Sequence, residues 1–224
     1  MDVTVFLCPV SPADDALLPS ISAQLIAEER ARADRFVVQD ARRLYIVAHA
    51  LLHHALGRHG VVAREFALND YGKPFLPGTS IRFNVSHTEG LAAVAIAREI
   101  EIGVDVELVR DLRDRESVAR AVFCQEEIEE IGKCREPLER FFQLWTAKEA
   151  VMKATGLGFS MPPKQIGFAG HKPQLVALPP DHGAPQDWWL ESTRIGAHWF
   201  ALAARSRLNG VSRVDLCPSD LVPG

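Results

Sequence analysis

Several features are missing from this sequence, and each absence narrows what it can be. No long apolar run is present: residues 91–97 form a short one, against the roughly 20 residues needed to cross a bilayer. No membrane association is expected. No block of like charge is present either, and 25 Lys and Arg against 29 Asp and Glu leave a net charge of −4. Broad nucleic-acid binding wants a basic face, so it is not expected. Cysteine is sparse, with Cys8, Cys124, Cys134 and Cys217 scattered and no C-x-x-C pair. That excludes a zinc ribbon and a disulfide framework, and it suits reduced thiols in a cytoplasmic protein. The first residues, Met1, Asp2, Val3 and Thr4, lack the basic flank of a secretory signal, which again points to the cytoplasm.

What is present is an ordinary globular composition, 47% apolar and 24% charged over 224 residues. That length suits one large domain or two of about 110 residues each. Periodicity predicts a strand at 3–7, a helix over 22–38, and a second helix from a cap at Asp40 to 56, with Gly57 as its stop. Strands are expected at 81–85, 91–97 and 102–108, then helices over 115–123, 126–131 and 137–155. Strands return at 175–178, 188–193 and 198–204, and the last dozen residues read as a tail. Residues 90–98 weakly echo residues 196–205, and Lys73-Pro74 has a counterpart in Lys172-Pro173. The fold class is expected to be α+β, and if that echo is a repeat the chain is two similar α+β halves over 1–101 and 102–224. Their interface is a natural ligand cleft.

The chemistry concentrates in two segments. Asp105 and Glu107 are two apart on a strand, so they share one face, with Val104, Val106 and Leu108 on the other. This predicts that both carboxylates point away from the core. Glu149 and Lys153 are four apart on a helix that also carries Phe141, Phe142, Leu144, Trp145, Val151 and Met152. Charges on so apolar a helix need partners. Three converging carboxylates repel one another unless a cation joins them. Magnesium is the natural choice, because it takes hard oxygen ligands and keeps sites for water and phosphate. Lys153 would then stand beside the phosphate oxygens. His49 and His53 are i, i+4, but no third ligand is visible for a zinc site.

Four motifs follow in order: Tyr71-Gly72-Lys73-Pro74, Phe83-Asn84-Val85-Ser86-His87, Ile102-Gly103-Val104-Asp105-Val106-Glu107, and the stretch from Phe142 to Lys153 that contains Trp145, Lys148 and Glu149. Together they resemble a 4′-phosphopantetheinyl transferase of the Sfp type. The resemblance implies a monomer with two pseudo-twofold-related halves and the active site between them. It implies coenzyme A as donor and a serine of an acyl or peptidyl carrier protein as acceptor. Asp105, Glu107 and Glu149 match the family's metal ligands for magnesium, with manganese as a substitute. Lys153 matches the lysine on the coenzyme A phosphates, and Glu149 is the candidate base for the serine proton, so these two are expected to be catalytic. Arg43, Lys73, Pro74, Ser86, His87 and Lys153 match positions that contact coenzyme A, with Arg43 and His87 near its 3′-phosphate. Glu127 matches a further acidic position. One departure stands out: Glu29 falls where the family often has a base in the first helix, while Arg32 keeps another. A carrier surface is expected around Arg110, Arg113, Arg115 and Arg120, with Leu112, Val118 and Phe123. The rival readings are another magnesium-dependent nucleotide pyrophosphohydrolase and a non-catalytic module that binds coenzyme A or a carrier.

Overall fold

The computed structural model describes residues 2–223. Strand β1 (Asp2–Pro9) leads through a 3₁₀ turn into the helices α1 (Leu18–Ser22), α2 (Ala27–Ala33) and α3 (Gln39–Arg58). The short strands β2 (Ala67–Leu68) and β3 (Pro74–Phe75) precede the hairpin β4 (Ile81–Thr88) and β5 (Leu91–Arg98). Strand β6 (Ile102–Leu108) opens the second half, followed by α4 (Arg115–Val122), α5 (Gln125–Lys133) and α6 (Pro137–Thr155). Then come β7 (Gly167–Ala169), β8 (Gln174–Ala177), β9 (Trp189–Ile195), β10 (His198–Ala204) and β11 (Gly210–Asp215).

The strands form one sheet in the order β11-β1-β5-β4, a second in the order β6-β10-β9, and two small hairpins, β2-β3 and β7-β8. The two halves share one topology. In each, a strand leads through a long helix and a small hairpin to two further strands, and the last strand inserts between the other two. The sequence echo is this repeat: residues 90–98 and 196–205 supply β5 and β10, the central strands. Lys73-Pro74 and Lys172-Pro173 both belong to the small hairpins.

Alternation along each strand distributes the apolar residues into three layers. Ile46, Leu51 and Leu56 of α3 pack on Phe6, Val94 and Ile96. Phe141, Val151 and Met152 of α6 pack with Ala201 and Ala203 of β10. Between the two sheets lie Val3, Val5 and Ala95 with Val104, Val106, Phe200 and Leu202. So β6 gives its even-numbered side chains to the middle layer and its odd-numbered ones to α6.

The seam between the halves is made without strand pairing among the described residues. Alternate side chains of β4 take the place of a partner backbone. Asn84 Oδ1 accepts the Val104 N–H at 2.8 Å, Ser86 Oγ accepts the Val106 N–H at 3.2 Å, and Thr88 Oγ1 faces the Leu108 N–H at 3.5 Å.

Three expectations are corrected. The segment 22–38 is not one helix: the chain turns extended at Ile26, whose N–H is taken by Glu29 Oε2 at 3.1 Å, and α2 starts afresh. The next helix is capped at Val38, not Asp40, and runs past Gly57 to Arg58. The last dozen residues are not a tail: β11 pairs in parallel with β1, and Leu221 is fully buried against the first core. Residues 210–223 therefore fold with the first sheet, across the division expected at 101/102. No helix among the described residues is long and apolar enough to cross a membrane.

Candidate active site

The site exists because β6 and α6 come unusually close. A Cβ on Gly103 would lie 2.1 Å from the Ala150 carbonyl oxygen and 2.3 Å from the Ala154 amide nitrogen, both in α6. Only glycine permits that approach. It brings Asp105 and Glu107, on the same face of β6 as Gly103, against the face of α6 that carries Trp145, Glu149 and Lys153. The two carboxylates share a face, as the spacing predicts. They do not point away from the core: Asp105 is only 3% exposed and lies between strand and helix.

Asp105 Oδ1 accepts the Lys153 ammonium at 2.6 Å and the Ser86 hydroxyl at 2.8 Å. Lys153 Nζ also donates to Ser86 Oγ at 3.0 Å. Glu107 Oε1 accepts the Trp145 indole N–H at 3.1 Å, and Trp145 is held by stacking on Phe141 at 6.1 Å between centroids. One pocket is lined by Ser86, His87, Asp105, Glu107, Glu149 and Lys153. Phe159 and Trp145 form part of its rim.

The electrostatics show carboxylates short of positive charge. Burial, then the Asp105 charge, pushes both Glu107 and Glu149 up to about 7. Asp105 is also raised, by burial, against the pull of Lys153. Asp105 Oδ2 and Glu149 Oε1 are buried with no hydrogen-bond partner. Buried acceptors of this kind are costly and rare. Among the described residues no three acidic, histidine or cysteine side chains are closed around a common point. The set nonetheless fits a hard divalent cation: the donors are all carboxylate oxygens, and two of them lack any partner.

The other expected ligand positions fall elsewhere. Lys73 and Pro74 line a neighbouring pocket with Phe75, Arg82 and Thr155. The Lys73 ammonium turns inward, onto the carbonyls of Ile102 and Ala154 at 3.2 Å each and onto Glu101. With Asn69, whose side chain donates to the Gly156 carbonyl at 2.9 Å, it ties the β2-β3 hairpin to the end of α6. Arg43 lines a third pocket, and its guanidinium is already held by Asp15 and by Asp40 at 2.6 Å. His87 is exposed at the lip of the carboxylate pocket. The protein bulk around its ring and then the Lys153 charge push its pKa down, so the ring is neutral at neutral pH. Of the apolar residues expected at a carrier surface, Phe123 is buried edge-on against Phe141, while Leu112 and Val118 are half-buried at the edge of the same core.

Two buried clusters escaped the sequence reading. Lys148, fully buried, pairs with Glu127 Oε2 at 2.7 Å and donates to the carbonyls of Pro163 and Ile166 at 2.9 and 2.6 Å. It fastens α5 and the segment after α6 to the helix that carries Glu149. Glu29 accepts His49 Nδ1 at 2.7 Å and His53 Nε2 at 2.6 Å, which clamps α2 to α3. The i, i+4 histidines were visible in the sequence; their carboxylate partner, one helix away, was not.

Comparison with known proteins bears on this arrangement. Residues 101–203, the span that contains Asp105, Glu107, Glu149 and Lys153, match the model of the 4′-phosphopantetheinyl transferase superfamily. The 4′-phosphopantetheinyl transferase HetI of Nostoc sp. is 34% identical over 155 residues, 65% of this chain and 65% of that one. A putative 4′-phosphopantetheinyl transferase of Synechocystis sp. is 30% identical over 216 residues, 89% of this chain and 85% of that one. The chain thus spans somewhat under two thirds of the first relative and most of the second. Among solved structures, holo-[acyl-carrier-protein] synthase of Thermotoga maritima matches at a TM-score of 0.40 with 21% identity, over 48% of this chain and 65% of that one.

Proposed function

We propose that this chain, which belongs to the 4′-phosphopantetheinyl transferase superfamily, moves the 4′-phosphopantetheine arm of coenzyme A onto a serine of an acyl or peptidyl carrier protein. One observation carries the reading beyond membership. Asp105 Oδ2 and Glu149 Oε1 are buried without partners in the pocket that also holds Glu107 and Lys153. Asp105, Glu107 and Glu149 would hold a divalent cation, taken to be magnesium. When bound, it would neutralise charge on the pyrophosphate oxygens.

The chain's own residues supply the remainder. The carrier serine oxygen bonds to the phosphorus that bears the pantoyl arm. The bond from that phosphorus to the bridging oxygen breaks, and 3′,5′-ADP leaves. The serine proton passes to Glu149, directly or through a water. Lys153 places a fixed positive charge beside the transferring phosphoryl group. His87, neutral and at the lip, offers a hydrogen bond to a coenzyme A phosphate. For Arg43 to grip the 3′-phosphate it must exchange Asp15 or Asp40 for it. We take the protein to act as a cytoplasmic monomer.

The test is to incubate the protein with coenzyme A, magnesium and apo carrier proteins from several pathways, then weigh the carriers. A gain of one phosphopantetheine is expected, and its absence on every carrier would overturn the reading. Release of nucleotide from coenzyme A with no carrier present would favour a pyrophosphohydrolase instead. Asp105→Ala should abolish transfer while circular dichroism stays native.

A further inference from the structure

Glu29 places a negative charge in the half of the fold that is expected to meet the phosphates of coenzyme A. It is buried and accepts an imidazole on each oxygen, His49 Nδ1 at 2.7 Å and His53 Nε2 at 2.6 Å. An ionised carboxylate only accepts, so both rings must donate to it. That fixes the tautomers of the neutral rings: His49 carries its hydrogen on Nδ1 and His53 on Nε2. The nitrogens left to take up a proton are Nε2 of His49 and Nδ1 of His53.

The two rings stand in different surroundings. The His53 side chain is 9% exposed, and its ring lies against Phe66, which in turn meets Phe83 of β4. The His49 side chain is 24% exposed and sits one turn nearer the start of α3. Helix α3 packs on β4. Four residues of helix and two of strand advance by about the same length, roughly 6 Å, so the step from His53 to His49 follows β4 from Phe83 toward His87. The electrostatics agree: burial first, then the charges of Lys153, His49 and Arg32, hold the His87 pKa down. Tyr45 joins these groups. Its ring meets His49 at 4.0 Å between centroids, and the Arg32 guanidinium lies 5.4 Å from its centre. His49 thus has around it Glu29 and Arg32 from α2, Arg35 just beyond, Tyr45 and His53 from α3, and His87 from β4, with Lys153 of α6 past His87.

With neutral rings, Glu29, His49 and His53 together carry one negative charge. A proton on His49 Nε2 brings that to zero. An anion beside His87 and Arg32 favours the charged form of a neighbouring imidazole. By linkage, the same proton strengthens binding of the anion.

We propose that His49 takes up a proton when the phosphates of coenzyme A arrive beside His87 and Arg32, and so cancels the repulsion that Glu29 would otherwise exert on them. His49 is a positioning residue that acts through its charge, and Glu29 holds its ring in place. The added affinity is present where His49 can be protonated and is lost as pH rises. This deepens the reading of the preceding subsection and rests on it.

The test compares His49→Asn, His53→Asn and His87→Asn with wild type. An asparagine amide can still donate to Glu29, but it takes up no proton. Binding of coenzyme A is followed by calorimetry in saturating magnesium, without carrier, from about pH 6 to about pH 8.5. Repeating each titration in buffers of different ionisation enthalpy counts the protons taken up. One whole linked proton changes affinity by about tenfold per pH unit. Wild type should take up protons, and its affinity should fall as pH rises. His49→Asn should take up fewer and bind about fivefold more weakly at the acid end, while staying within about twofold of wild type at the alkaline end. His87→Asn removes that ring's own titration and should keep the proton of His49. His53→Asn should lower the melting temperature and leave the proton count unchanged. The proposal is overturned if His49→Asn takes up as many protons as wild type, or if His53→Asn loses as many as His49→Asn does. A wild type that binds coenzyme A without proton uptake also overturns it, and leaves the transferase reading standing. Proton counting needs no carrier. A wild type that takes up protons with coenzyme A but modifies no carrier would therefore count against the transferase reading alone.

Discussion

Gly103 and Ala150 approach so closely that no side chain fits between their backbones: the Cβ of any other residue would stand 2.1 Å from the Ala150 carbonyl oxygen. Gly103→Ala must therefore push β6 off α6. The overpacking involves two backbones rather than a flexible side-chain tip. A loss of about 3 kcal/mol or more is expected in urea unfolding, at the top of the usual range for such changes. Any folded fraction should have lost transfer activity, because Asp105 would no longer face Lys153. A variant with a native midpoint would show that the contact yields cheaply.

Lys148 and Glu127 form a buried ion pair, 0% and 3% exposed. Lys148→Met leaves the Glu127 carboxylate uncompensated in the core and should cost about 3–5 kcal/mol. The double variant Lys148→Met, Glu127→Leu removes the stranded charge and should be more stable than the single one. It should not reach wild type, since the carbonyls of Pro163 and Ile166 also lose their donor. Equal stability of single and double variants would refute the pairing.

Glu29 sets a pH dependence. Burial raises its pKa, but hydrogen bonds from His49 and His53 outweigh this and bring it from 4.5 down to about 2. A carboxylate depressed on folding stabilises the fold above its unfolded pKa and loses that contribution as pH falls through the folded one. At roughly 1.4 kcal/mol per unit, the contribution at neutral pH is on the order of 3 kcal/mol. Glu29→Gln should be less stable than wild type by about this much at pH 6. The gap should close between pH 4.5 and about 2. Urea midpoints across that range test it, and a gap that stays constant would show that the carboxylate is not what the imidazoles hold.

Much of this was legible in the sequence. The strand over 102–108 and the helix over 137–155 follow from periodicity, and they carry Asp105, Glu107, Glu149 and Lys153. The weak echo between 90–98 and 196–205 marked the central strands of two sheets with one topology. What could not be read was partnership across the fold. Asp105 looked solvent-facing because alternation assigns a side chain to a face but not what covers that face. Arg43 and Lys73 looked free because Asp15, Asp40 and the Ile102 carbonyl meet them only after folding. The pairing of Lys148 with Glu127 could not be read, since nothing local announces one as the partner of the other. The last dozen residues looked like a tail because a parallel edge strand needs only a short, weakly apolar stretch, and its partner β1 lies some two hundred residues upstream.

That last pairing also has a bearing on how the protein is made. Strand β1 leaves the ribosome before the other strands of the two sheets, and β11, its neighbour on one side, leaves after them. At roughly 5–20 residues per second, the flank of β1 stays open for on the order of ten seconds or more during translation. The second half can assemble while the first waits with a bare row of amides and carbonyls, the kind of template that recruits other nascent chains. The last pairing to close in either sheet is thus the capture of 210–215 along that row, and a change that slows it would act on folding, far from the chemistry.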